Sequence, residues 1–104
     1  MILTGKCRED FLNYCKQSES FMMTYADIYI NALFIDWLDS VGIYISIESV
    51  FDNMLGYHRG FQVQIYQDGK QPISIDKDND VFESRQQATE EAIKQANEIY
   101  NSRK

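Results

Sequence analysis

The stretch Val41-Gly42-Ile43-Tyr44-Ile45-Ser46-Ile47-Glu48 decides the fold, because two different apolar periods meet inside it. Before it, Ile30, Leu33, Phe34, Trp37, Leu38 and Val41 recur every three or four residues, the spacing of one helix face. That pattern predicts a helix from about Asp27 to Val41. Gly42 follows where a left-handed cap is wanted. From Ile43 the period drops to two: Ile43, Ile45 and Ile47 alternate with Tyr44, Ser46 and Glu48, as in a strand buried on one face.

The same alternation returns twice. Phe61, Val63 and Ile65 against Gln62, Gln64 and Tyr66 predict a second strand, and Ile73 and Ile75 against Ser74 and Asp76 predict a third. Asp68-Gly69 between them is a hairpin turn signal. Pro72 has no N–H to give to a ladder, so the third strand belongs at an edge.

Two further helices flank this centre. Cys7, Phe11, Leu12 and Cys15 form one apolar stripe after Thr4 and end near Gln17, with Ser18-Glu19-Ser20 as a connector. At the other end, SRQQATEEAIKQANEIYN (residues 84–101) carries Ser84 and Gln87 at capping-box spacing, then an inward stripe of Ala88, Ala92, Ile93, Ala96, Ile99 and Tyr100. Glu90 and Lys94 are an i, i+4 pair, and Arg103 with Lys104 suits the carboxyl end of the helix dipole. This helix is read as a cover for the sheet and nothing more. The order is α-α-β-β-β-α. One-sided strands call for an α+β fold of two layers, a three-stranded antiparallel sheet with helices packed on one face, in a single domain spanning residues 1–104.

Composition narrows the function. The 104 residues carry a formal charge of −6, and no Lys or Arg lies between Gln17 and His58, where Glu19, Asp27, Asp36, Asp39, Glu48 and Asp52 all fall. Nucleic acid is bound largely by cations that displace counterions from phosphates, so this half of the chain repels it. The longest apolar run, Ala32-Leu33-Phe34-Ile35, falls far short of the roughly 20 residues of a membrane span. Met1 to Arg8 has no basic start with an apolar stretch behind it, and a cytoplasmic location is expected. Cys7 and Cys15, eight residues apart on one helix, would have Cα atoms about 12 Å apart, beyond disulfide reach, and are expected to stay reduced.

No motif assembles a reaction centre. Asp76-Lys77-Asp78-Asn79-Asp80 imitates the opening of a calcium loop, but Val81 replaces the required Gly and Gln87 the bidentate Glu, so it reads as a solvated turn. His58 is the only histidine, in the loop Gly56-Tyr57-His58-Arg59-Gly60, and a small enzyme centred on it would need a nucleophile or carboxylate within reach. Asp36 with Asp39, and Glu90 with Glu91, fall on solvent faces. The expectation is no catalytic residue, no cofactor and no metal.

The outward sheet face should carry Tyr44, Ser46, Glu48, Gln62, Gln64, Tyr66 and Ser74, and two tyrosines on a sheet can stack bases. The order helix, three strands, helix is also that of double-stranded-RNA-binding domains. Those place lysines at the start of the last helix, where this chain has Arg85 followed by Glu90 and Glu91.

Leu3-Thr4-Gly5-Lys6 with Asp10-Phe11, then Asp39-Ser40-Val41-Gly42-Ile43, then Ser84-Arg85-Gln86-Gln87-Ala88 and Ala92 to Asn101 together resemble a group of small uncharacterised proteins of phages and prophages of Bacteroidetes. The resemblance implies a phage-type accessory protein and no assigned activity. From the residues themselves, the leading expectation is a non-enzymatic domain whose acidic middle, around Asp27, Asp36, Asp39 and Glu48, meets a basic partner protein. A nucleic-acid-binding module using the outward sheet face is the alternative.

Overall fold

The computed structural model describes residues 3–17, 26–75 and 81–103. The expected connector Ser18-Glu19-Ser20, the acidic turn Asp76–Asp80 and Lys104 lie outside the described residues. The elements are α1 (Gly5–Cys15), α2 (Asp27–Ser40), β1 (Ile43–Phe51), β2 (His58–Gln67), β3 (Ile73–Ile75) and α3 (Arg85–Asn101). This is the α+β order expected from the change of period.

Gly42 takes φ 79°, a conformation open to it without a side-chain penalty, and turns the chain from α2 into β1. The sheet is antiparallel in the order β1-β2-β3. Ile45 faces Ile65, Ile47 faces Val63, and Val63 faces Ile75, so the apolar alternation of all three strands falls on one side. β2 is in the middle and is paired along both edges. Past the described end of β3, Phe82 continues the line: Phe61 and Phe82 exchange two backbone hydrogen bonds of 2.8 Å.

β1 and β2 both run past their clean patterns. β1 runs on to Phe51 and β2 begins at His58, with Arg59 bulged out where Val50 pairs Gly60 and Phe51 pairs His58. His58 therefore opens a strand instead of lying in a loop. The connection 52–57 is held by Asp52, whose Oδ1 accepts the Met54 and Leu55 N–H groups at 2.8 and 2.9 Å. These bonds favour the ionised form and hold the Asp52 carboxyl below its ordinary range.

α3 lies across β2 and β1, α2 covers β1, and α1 docks on α3 and α2. Ile43, Val63 and Ile65 are fully buried beneath this roof, together with Ala88, Ala92 and Ala96 of α3. The alanines let the helix backbone approach the sheet closely. Burial fades toward the edges: Ile45, Ile47 and Ile75 are half-buried, and Ile73 is exposed because β3 is short and stands beyond the helices.

Between the helices the core is aromatic. Phe11 meets Phe34 edge to face at 5.3 Å, and Trp37 lies 5.8 Å from Phe11, 5.6 Å from Phe34 and 4.9 Å from Tyr100. Such tilted and edge-on pairs match ring edges to ring faces and add about 1 kcal/mol each beyond burial. One cluster thus ties α1, α2 and α3 together above the sheet.

α3 also does more than roof the sheet. Ser84 caps it, Oγ accepting the Gln87 N–H at 3.1 Å. At its far end Asn97 and Asn101 reach the N-terminal segment. Thr4 N–H donates to Asn97 Oδ1 at 3.0 Å, and Cys7 N–H donates to Asn101 Oδ1 at 2.8 Å. Thr4 itself makes no side-chain cap on α1; Asn101 supplies that acceptor from the other end of the chain. Arg103 turns away from the α3 axis to donate to the Val41 carbonyl at 2.6 Å and to Gln67 Oε1 at 3.3 Å, pinning the α2–β1 corner.

Candidate functional site

α2 is the least ordinary element. Ile30, Phe34, Trp37 and Leu38 are buried, which already accounts for a full apolar face. On the opposite side Ile28 is 77% exposed, Ala32 is exposed and Ile35 is half-buried, at i, i+4 and i+7. A surface helix ordinarily turns polar residues to that side. Here Asp36 stands one turn beyond Ala32, and Asp39 one turn beyond Ile35, both exposed. The result is a short apolar strip bordered by two carboxylates, on a helix without a single Lys or Arg.

Of the four acidic residues expected to form one surface, the structure places Asp36 and Asp39 together on this face. Asp27 is the first residue of α2, and its side chain lies outside the described residues. Glu48 is elsewhere: it is exposed on the outward face of the sheet, opposite Gln62, whereas α2 covers the inward face. The linear charge pattern joined residues that the one-sided packing separates.

The outward sheet face carries the expected side chains. Tyr44 sits directly across from Tyr66, each 38% exposed, Ser46 across from Gln64, and Gln64 across from Ser74. The Tyr66 hydroxyl donates to Gln64 Oε1 and the Ser46 hydroxyl to Glu48 Oε1.

At the other end of the sheet His58 is exposed, its ring 5.1 Å from Phe51 and 4.9 Å from Phe61, both approached edge-on. The Arg85 guanidinium covers Phe61 at 4.7 Å. His58 is thereby one member of an aromatic row and is flanked by carbon. Both thiols sit on α1. Burial first, and the nearby Asp10 carboxylate second, push the Cys7 thiol up to about 12, which keeps it protonated and unreactive near neutrality. Burial also raises Cys15.

An open dimple of about 360 Å³ is lined by Val41, Gly42, Gln67, Asp68, Lys70 and Arg103. Arg103 is spent there on Val41 and Gln67. Among the described residues no group of three or more His, Cys, Asp and Glu side chains is placed to hold a metal ion, and no helix is long and apolar enough to cross a membrane.

Charge patterning pointed to Asp36 and Asp39, but Ile28 and Ala32 had no part in that reading. Their signal was present: Ile28, Ala32 and Ile35 follow the helical period on the side away from Ile30, Phe34 and Trp37. No family model, no curated protein and no solved structure matches the chain.

Proposed function

We propose that this chain is a non-enzymatic interaction protein that binds a basic protein partner through the outer face of α2, in keeping with the phage-type accessory group it resembles. The observation that carries this is the strip Ile28, Ala32, Ile35 bordered by Asp36 and Asp39. Apolar side chains in water favour a contact that buries them, and the carboxylates select a partner with positive charge and speed its approach. Capture from bacterial lysate at low and high salt tests it. A specific protein should be retained at low salt, released at high salt, and lost with Asp36→Lys/Asp39→Lys and separately with Ile28→Ser. Retention indifferent to both variants removes the reading.

The cross-strand pair Tyr44 and Tyr66 favours a second reading, stacking of single-stranded bases on the outward sheet face. Retention of single-stranded RNA or DNA at moderate salt, abolished by Tyr66→Ala, supports it; flat titrations remove it.

A further inference from the structure

The two edges of the sheet differ. β3 offers three residues, preceded by Pro72, and the line it starts is continued along β2 by Phe82. Short strands and proline are the usual guards against pairing with another chain. β1 offers nine residues with neither guard: IYISIESVF holds no Pro, no Lys and one charge, Glu48. The bulge at its end lies on the β2 side of the pair, at Arg59, so β1 is regular from Ile43 to Val50. Among the described residues, no backbone hydrogen bond outside the ladder reaches Ile43 to Phe51. Every second residue of β1 therefore turns an N–H and a C=O outward.

We infer that β1 pairs antiparallel with β1 of a second copy of this chain, joining two three-stranded sheets into one. A two-fold axis normal to the sheet keeps both inward faces on the same side, so that residues of like parity oppose each other. The axis through Ile47, the middle residue of the strand, is the register in which all nine residues pair. It sets Ile47 against Ile47 of the second copy and Ile43 against Phe51. The half-buried Ile45 and Ile47 and the 54%-exposed Phe51 then gain apolar neighbours on the helix side, where the roof of one chain fades out. On the outward face Glu48 meets Ser46, whose hydroxyl already reaches a Glu48 carboxylate within its own strand at 3.3 Å. Charge excludes the register centred on Glu48, where two carboxylates would oppose each other. The chains repel as wholes, each at −6, so salt tightens this association, the reverse of its effect on a basic partner.

Sedimentation of the purified chain across concentration and salt tests the pairing. Expected is a reversible monomer–dimer equilibrium that shifts toward dimer with added salt. Ser46→Glu puts a carboxylate against Glu48 twice per dimer and weakens association by about tenfold, while Ser46→Lys strengthens it by a similar factor. Ser46 is on the outward face, and unchanged circular dichroism verifies that both variants keep the fold. A monomer at all concentrations overturns the inference. So does a dimer that responds alike to both charges, since that dimer uses another surface.

Discussion

Asn101 holds Thr4 across nearly the whole chain: its Nδ2 donates to the Thr4 carbonyl at 2.8 Å and to Thr4 Oγ1 at 3.2 Å. One turn earlier Asn97, 6% exposed, accepts from the Thr4 N–H and donates to its hydroxyl at 3.1 Å. Leu3 is thereby set into the core at 2% exposure, and the first turn of α1 receives its cap. The two ends of the sequence close the fold together.

Removing either asparagine should cost more than an ordinary surface change. Asn97→Ala strips the Thr4 N–H of its acceptor in a partly buried place, for a loss of about 1–3 kcal/mol. Asn101→Ala removes a helix cap supplied from afar, for about 1 kcal/mol. The two side chains share Thr4, so the double variant should lose less than the two single losses added. Urea unfolding measures all three. Single variants within about 0.5 kcal/mol of the parent would show the clasp to be idle.

Stability should fall on the alkaline side. The Tyr100 hydroxyl donates to Asp10 Oδ2 at 2.5 Å, and burial first, then this bond to Asp10, push it up to about 12 from 10.0. Cys7, raised to about 12 from 9.0, adds to the same trend. A group whose pKa is higher folded than unfolded contributes stability below its unfolded value and loses it as pH climbs to the folded one. The window is therefore about pH 9 to 12 for Cys7 and about pH 10 to 12 for Tyr100. Tyr100→Phe should flatten the upper part of the decline in urea midpoint, and Cys7→Ala its onset. A decline of equal slope in both variants and parent would assign it to other groups.

Gly60→Ala should be among the most damaging single-methyl additions. At φ 149° a Cβ there would come within 2.5 Å of the Phe82 carbonyl oxygen and 2.6 Å of Val81 Cγ2. The two 2.8 Å bonds between Phe61 and Phe82 cannot survive that displacement, and Phe82, 6% exposed, would leave the core. Strain, lost bonds and lost burial together amount to about 3 kcal/mol or more. Amide exchange at Phe61 and Phe82 reports the bridge directly; unchanged protection of both would contradict the contact.

The regular parts of this fold were legible because they are local. A helix period that becomes a strand period at Gly42 needs no partner to be recognised, and neither does the Ser84 cap or the alanine stripe of α3. The ends of β1 and β2 were not legible. Ser49 breaks the apolar alternation at an inward position, and His58 gave no strand signal until Phe51 stood opposite it. The cap on α1 had no local trace either, since Asn101 and Cys7 meet only in three dimensions. For the candidate surface, Asp36 and Asp39 were readable as helix neighbours. Glu48 was readable too, as an outward residue of the strand alternation, and it stands there, on the side of the sheet turned away from α2.

Thiol reactivity joins the clasp to the dynamics of α1. Cys7 is fully buried and Cys15 half-buried, and both are free. A thiol reagent at neutral pH should modify Cys15 first, more slowly than an exposed thiol because burial raises its pKa. Cys7 should react only when α1 opens, at a rate set by the free energy of that opening. Because Cys7 N–H is held by Asn101, Asn101→Ala lowers the opening energy by about the lost cap, and labelling of Cys7 accelerates about five- to tenfold. In Cys15→Ala, where only Cys7 reports, the single slow phase should carry this full acceleration. Fast labelling of Cys7 in the parent, or a rate unmoved by Asn101→Ala, would detach α1 from the residue that caps it.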